Sequence, residues 1–179
     1  MCRLETKRLL IRRFEKEDWE ELYEYLSDPD VVKFEPYGVF SKENARKEAA
    51  NRAKLECFLA VCEKESKKLI GNVYFDEGNY GTWEVGYVFH SKYQGQGYAI
   101  EAVEAVLQDG FLHRKVRRVV AKCNPDNVRS WRLLEKLGMR KEATLQKNVY
   151  FKHNVDGKPM WQDTYQYAIL KEEWERDHT

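Results

Sequence analysis

The stretch Gln94-Gly95-Gln96-Gly97-Tyr98-Ala99 follows a strand-like run, Trp83 to His90, and leads directly into a strongly amphipathic helical pattern. Glycines let the main chain approach a ligand closely, and the first turn of a helix carries N–H groups with no partner inside the helix. The chemistry offered by such a junction is anion binding, with the field of the helix adding to the donors. A Walker-type phosphate loop would need a Gly-Lys-Ser/Thr ending, and a dinucleotide fingerprint a third glycine three residues after the second; Tyr98-Ala99-Ile100 supplies neither. The same two glycines would also serve an ordinary strand-to-helix turn. For proton transfer, Glu84 shares a strand face with Gly86 and Val88 by the two-residue period, where it either looks into a cleft or sits in solvent. His90 and His153 qualify by residue type alone.

At 179 residues the chain has the length of one domain, and a single domain over 1–179 is expected. A hydrophobic fraction of 42% with 13% aromatics argues for a packed core despite 34% charged residues. Lys+Arg 31 against Asp+Glu 30 leaves a net charge of +1, so no global field draws nucleic acid or an anionic membrane and any phosphate recognition must be local. The basic run Arg114-Lys115-Val116-Arg117-Arg118 lacks interleaved aromatics and reads as a solvated face. Cys2, Cys57, Cys62 and Cys123 make no C-x-x-C pair, and Cys57 and Cys62 lie an odd number apart in a strand pattern; reduced thiols are expected, with no metal site or disulfide framework. The chain opens without an apolar h-region and has no run of ~18 apolar residues, from which a cytoplasmic location is expected.

Strands are expected at Arg8 to Phe14, Phe58 to Cys62, Leu69 to Phe75 and up to His90, the last three forming an antiparallel meander. Glu17 to Asp28 reads as a helix stopped by Pro29, and Ser41 caps an Ala-rich helix reaching about Glu56. Ala99, Ala102, Val103, Val106, Leu107 and Phe111 form one stripe of the helix after the glycine loop, which then crosses over to a strand at Val116 to Cys123. Asp126 or Asn127 starts a helix that ends before Gly138, and Ala143 to Phe151 pairs with Trp161 to Leu170 around an Asp156-Gly157 turn.

Gln94, Gly97 and Ala99 fit the Gln/Arg-x-x-Gly-x-Gly/Ala signature of the GNAT N-acetyltransferases. Asn124-Pro125-Asp126-Asn127-Val128-Arg129-Ser130, continuing to Glu135-Lys136-Leu137-Gly138-Met139, is similar to the Asn-x-x-Ser…Glu-Lys-Leu-Gly-Met/Phe segment of the branch containing the ribosomal-protein N-terminal acetyltransferases. The opening Glu5-Thr6-Lys7-Arg8-Leu9-Leu10-Ile11-Arg12 resembles that branch's first strand, so the resemblance spans nearly the whole chain. It implies an α/β (α+β) fold in one GNAT-like domain, with a mixed, mostly antiparallel, splayed central sheet flanked by helices.

The resemblance also implies acetyl-CoA as co-substrate, no metal, and direct transfer to a primary amine. Backbone groups near Val88 and Phe89 would hold the pantetheine arm, and the amides of Gln94, Gly95, Gln96, Gly97, Tyr98 and Ala99 the pyrophosphate. Asn127 would face a pantetheine amide, although capping its own helix is the commoner use of such a residue. Many relatives protonate the leaving thiolate with a Tyr seven residues after this Asn, but here that position is Leu134. The resemblance to the ribosomal-protein branch, in which a serine at the Ser130 position is proposed for this role, implies Ser130 as the acid, the alternative being an ordinary first-turn helix residue. Glu84 is the first candidate base, and Asp163, on a strand that borders the acceptor site in this family, is another. An α-amine of pKa ~7.7–8.0 is roughly one-tenth neutral at pH 7 and a lysine amine of pKa ~10.4 about one part in 2500, a difference near 3.5 kcal/mol. Without an obvious strong base, a protein or peptide N-terminal α-amine is the expected acceptor. The alternatives are a small amine (polyamine, amino acid or aminoglycoside), for which Asp28, Asp30, Glu35 and Asp76 would supply carboxylates, or a CoA-binding module without turnover. A homodimer is compatible with the family; neither nucleic acid nor membrane is an expected partner.

Overall fold

The computed structural model describes residues 3–177. In chain order the elements are β1 (Arg3–Glu5), β2 (Leu9–Arg13), α1 (Trp19–Leu26), α2 (Lys42–Arg52), β3 (Phe58–Glu63), β4 (Leu69–Glu77), β5 (Thr82–Phe89), α3 (Tyr98–His113), β6 (Arg118–Cys123), α4 (Val128–Lys136), β7 (Arg140–Val149), β8 (Gln162–Leu170) and α5 (Lys171–Asp177). The eight strands form one sheet in the order β1-β2-β3-β4-β5-β6-β8-β7. Its pairings are antiparallel except β5 with β6, as a strand-helix-strand crossover through α3 requires.

Helices cover both faces of the sheet. On β5, Val85 and Phe89 pack with Val103, Val106 and Phe111 of α3 and Leu134 of α4, while Val88 packs with Leu22, Tyr25 and Ala49 of α1 and α2. The two-residue period of a strand sends alternate side chains to opposite faces, so one short strand helps build two apolar layers. On the α1/α2 face the apolar layer encloses Arg52, which is 2% exposed. Its guanidinium stacks on Phe58 (4.5 Å) and donates to Asn72 Oδ1 (3.0 Å), which also accepts from Tyr25 Oη (2.8 Å). A buried charge needs such partners, and Glu48 at 2.7 Å completes them.

One interruption shapes the rest. Register between β5 and β6 holds only from Thr82↔Arg118 to Glu84↔Val120. Beyond Glu84, β5 stays with β4 as far as Gly71↔Phe89, while β6 stays with β8 as far as Cys123↔Tyr165. The sheet forks there, as the family resemblance implies.

Several expectations change in detail. The first helix is a 3₁₀ turn, Lys16–Asp18, followed by α1, because the Asp18 carboxylate accepts from Glu15 N–H (2.8 Å) and pairs with Arg12 (2.7 Å). Ser41 caps α2 through Asn44 N–H (3.2 Å), but that helix ends at Arg52. Val116 precedes β6 and is buried in the core, following Lys115 at φ 56. Strand β7 stops at Val149 after a register shift containing Lys147 at φ 45; residues 150–161 are irregular around Gly157 at φ 73. The short charged helix α5 was not expected. Cys57, Cys62 and Cys123 are free thiols; Cys2 lies outside the described residues. Among the described residues no helix is long and apolar enough to cross a membrane, and no cluster of three or more His, Cys, Asp or Glu is arranged for a metal ion.

Gly71 sets how closely β4 lies against the end of β5, because a Cβ there would stand 2.6 Å from both Val88 O and Phe89 Cδ1. Gly71→Ala should therefore cost about 1–3 kcal/mol in urea unfolding, the usual range for overpacking. An unchanged midpoint would contradict this close approach.

Candidate active site

The glycine loop is built by its backbone. Gly95 (φ 76) and Gly97 (φ 82, ψ 1) both take the left-handed conformation, Gly97 as the N-cap of α3. Gln94 N–H turns back to Ser91 O (3.3 Å), while the amides of Gly95, Gln96, Gly97, Tyr98 and Ala99 meet no protein acceptor among the described residues. A Cβ at Gly95 would meet nothing within 4 Å, so the approach to these donors is open. Five successive free N–H groups at the head of a helix of 16 residues make an anion site.

Side chains brace the loop from outside. Arg8 Nη1 donates to Gln96 O (3.0 Å), Arg8 Nε to Glu101 Oε2 (2.7 Å), and the guanidinium lies 4.2 Å from the centre of the Tyr98 ring. Thr6 Oγ1 and Arg8 N–H both donate to Glu101 Oε1 (2.6 and 2.9 Å). Burial opposes the ionisation of Glu101, but these hydrogen bonds and the charge of Arg8 outweigh it and hold its pKa below the ordinary carboxylate value. Gln94 spans the fork, with Nε2 donating to Phe89 O (2.9 Å) and Oε1 accepting from Arg129 Nη1 of α4 (2.8 Å).

Inside the fork, the alternation of the ladder decides which main-chain groups are free. His90 N–H donates to Ile70 O (2.9 Å), so in the β4–β5 register the backbone of Val88 also points at β4. The groups of Tyr87 and Phe89 point the other way, toward the gap left by β6. Against the expectation for Val88, its ladder bonds are already used; Phe89 borders the gap, with its carbonyl taken by Gln94.

The far wall of the fork is the start of α4. Asn127 caps this helix, its Oδ1 accepting from Ser130 N–H (3.3 Å). Ser130 faces β5, where Tyr87 Oη lies 3.0 Å from Ser130 O and 3.1 Å from Ser130 Oγ. Burial pushes the Tyr87 phenol above its ordinary range, with a hydrogen bond from Ser130 partly opposing the rise. Cys123 adjoins the pair and is pushed up to about 11 by burial, partly offset by Ser130. Leu134, in the position of the usual tyrosine acid, is 1% exposed in the core. Tyr87 was missed in the sequence because 43 residues separate it from Ser130; its place on the strand face opposite Glu84 was the available signal.

Glu84 occupies the face shared with Gly86 and Val88, at the last paired position before the fork, and forms an ion pair with Lys122 (2.9 Å). It borders a shallow groove of about 380 Å³ with Thr82, Arg118, Val120, Lys122 and Gln166. The other candidates have structural partners. Asp163 accepts from Lys147 N–H (2.8 Å) at the irregularity of β7, His90 Nδ1 accepts from Lys92 N–H (3.2 Å), and His153 packs on Tyr150. Asp28 accepts from Ser91 Oγ (2.8 Å) and Asp76 from Tyr74 Oη (3.2 Å). Glu35 is pushed up to about 7 by burial, opposed by a Tyr37 hydrogen bond and the charge of Arg52.

Known proteins share this fold. The family model described as Acetyltransferase (GNAT) domain matches residues 8–140. YnaD of Bacillus subtilis (strain 168), named as an uncharacterized N-acetyltransferase, is 43% identical over 176 residues, covering 94% of this chain and 97% of its own. The crystal structure of a GNAT-family acetyltransferase from Bacillus anthracis superposes with a TM-score of 0.88 at 38% identity, covering 96% of this chain and 99% of that one. The [Ribosomal protein uS5]-alanine N-acetyltransferase of Escherichia coli (strain K12) is 25% identical over 185 residues, 96% of this chain and 92% of its own. The chain belongs to the GNAT acetyltransferase family and is an N-acetyltransferase. The family's acetyl donor is acetyl-CoA, and the loop's row of free amides fits its pyrophosphate.

Gly97→Ala should lower the stability of the free chain by about 1–2 kcal/mol, the cost of a left-handed L-residue, and shrink the rise in melting temperature produced by acetyl-CoA. An unaltered rise would place the diphosphate elsewhere. Because the folded-state pKa of Glu101 is lowered, its contribution is present above about 4.5, the unfolded value, and is lost as pH falls through the lower folded value. Glu101→Gln should therefore be less stable than the natural chain at pH 7, and the gap should narrow below pH 4.5 in denaturant titrations.

Proposed function

We propose that this enzyme acetylates the N-terminal α-amine of a protein or peptide, passing the acetyl group directly from acetyl-CoA to nitrogen. The observation that carries the reading is the fork: an unpaired main-chain edge on β5 runs from the amide loop to Ser130, a path that suits an extended pantetheine arm. In this reading the amides of Gly95 to Ala99 bind the diphosphate. Free main-chain groups of Tyr87 and Phe89 hold the pantetheine and the thioester carbonyl, whose oxygen gains charge as nitrogen attacks. Asn127 contributes the side-chain N–H₂ left over from its capping bond, and Ser130 lies where the thiol ends.

The acceptor enters from the face of β5 that carries Gly86 and Glu84. Gly86 leaves room there, since a Cβ would come no nearer than 3.8 Å to Tyr74. Glu84 takes the amine's proton, directly or through water, and Lys122 holds its carboxylate in place at 2.9 Å. An α-amine needs only modest help, being about 3.5 kcal/mol easier to present as the neutral nucleophile than a lysine amine. The likeness to the uS5-alanine N-acetyltransferase across 96% of the chain supports the same acceptor class.

The test is thiol release from acetyl-CoA with three acceptors: peptides with a free N-terminus, the same peptides blocked there but carrying lysine, and a polyamine set. Only the first should turn over. Activity confined to polyamines would reject the acceptor assignment, and CoA binding without turnover on any amine would make the chain a binding module. Glu84→Gln should lower kcat about 10²-fold or more, with acetyl-CoA affinity little changed; unaltered turnover would remove Glu84 from the mechanism.

A further inference from the structure

We propose that Tyr87, and not Ser130 itself, is the acid that protonates the departing thiolate, with Ser130 holding and polarising the phenol. The proposal rests on the acetyl-transfer reading of the fork and names a residue that the glycine loop and the α4 motif do not contain.

The argument begins with position. Tyr87 belongs to the forked part of β5, beyond the last residue paired with β6, and its main-chain groups border the gap. Its side chain reaches α4, where the phenolic oxygen is within hydrogen-bond distance of two atoms of one residue: Ser130 O at 3.0 Å and Ser130 Oγ at 3.1 Å. Ser130 is in turn fixed by its N–H donating to Asn127 Oδ1 at 3.3 Å. The phenol and the serine hydroxyl therefore form one unit on the wall of the fork, attached to the strand on one side and to the cap of α4 on the other.

Acidity then chooses between the two hydroxyls. An unperturbed thiol ionises near 8.5 and an unperturbed phenol near 10, and burial raises Tyr87 above that ordinary value. An aliphatic hydroxyl resembles water and gives up a proton far less readily than a phenol. An acid works best with an acidity close to that of the group it protonates, and the phenol is the closer match. Burial keeps Tyr87 protonated over the physiological range, as an acid must be before the step. Ser130 Oγ–H can donate to the phenolic oxygen and stabilise negative charge as it develops there. The carbonyl of Ser130 fixes the ring's hydroxyl until the thioester arrives.

The step balances without a further reactant. The amine nitrogen bonds to the acyl carbon, the C–S bond breaks, and its electron pair leaves on sulfur. Sulfur takes the proton of Tyr87 Oη, the nitrogen sheds one proton to Glu84 on becoming an amide, and the tyrosinate regains that proton from Glu84 through water. Leu134 is buried and apolar, so this arrangement puts from β5 the function that relatives take from α4.

Tyr87→Phe keeps the ring and removes only the acid. It should lower kcat by about 10² or more, as loss of general-acid catalysis does, while the Kd for CoA stays within about threefold, well under one factor of ten in binding. Ser130→Ala should have a smaller effect, and adding it to Tyr87→Phe should cost little more, because the two act as a unit. Tyr87→3,5-difluorotyrosine should retain turnover and move the alkaline limb of the kcat–pH profile to lower pH, a response that a purely structural tyrosine would not give. Turnover by Tyr87→Phe within twofold of the natural chain, or a profile unmoved by the fluorinated residue, would overturn the proposal while leaving the acetyltransferase reading intact. Failure of the natural chain to release thiol with any amine would overturn both.

Discussion

The site depends on hydrogen bonds that β5 and β6 do not make with each other. A strand inside a sheet normally pairs on both edges, and a buried main-chain group without a partner costs about 1–3 kcal/mol. Here β4 continues alongside one arm of the fork and β8 alongside the other, so both arms stay in place although they part after Glu84. In the proposed reading the free edge is the recognition element, where an extended ligand with amides of its own can complete the interrupted ladder. Gln94 limits the exposure by covering Phe89 O and joining the loop to Arg129 on the opposite wall.

The same economy governs the loop. Two left-handed glycines turn consecutive N–H groups outward, and the positive end of α3 adds to their field. Glu101, a carboxylate in the first turn of that helix, would weaken an anion site if left unbalanced. Thr6 and Arg8 bind it, and Arg8 carries its charge on to Gln96 O, so the turn between β1 and β2 stabilises the shape of a loop some ninety residues away in sequence. The two faces of β5 then divide the work. One carries Tyr87 to Ser130, on the side the proposed reading gives to the leaving group, and the other carries Glu84 and the space above Gly86, on the side it gives to the acceptor.

How much could be read in advance follows from the range of each interaction. The glycine loop was legible because its conformation is local: Gly95 and Gly97 stand where positive φ is needed and the stripe from Ala99 to Phe111 marks a helix. The caps at Ser41 and Asn127 and the left-handed Gly138 after α4 were legible for the same reason. The fork was reached through family resemblance and not from periodicity, because Val85 to Phe89 alternate in the same way whether or not a neighbour is present. Which backbone groups are free depends on register with β4, a nonlocal fact, and so Val88 was chosen where Tyr87 has the free edge. Tyr87 with Ser130 and Arg8 with Glu101 are likewise made only by the tertiary fold. The missing helix α5 has another cause: its seven residues, Lys171 to Asp177, are almost all charged and leave Trp174 as the one large apolar anchor, too little to register as a period.

The central claim is that main-chain donors on the fork and loop hold acetyl-CoA, and residue-resolved amide hydrogen exchange with and without CoA tests it most directly. The amides of Tyr87, Phe89 and Gly95 to Ala99 should exchange readily in the free chain and slow markedly when CoA is bound, with Val88, already in the β4 ladder, changing least among its neighbours. CoA binding that leaves those amides exchanging as before, with protection appearing elsewhere on the surface, would contradict the account.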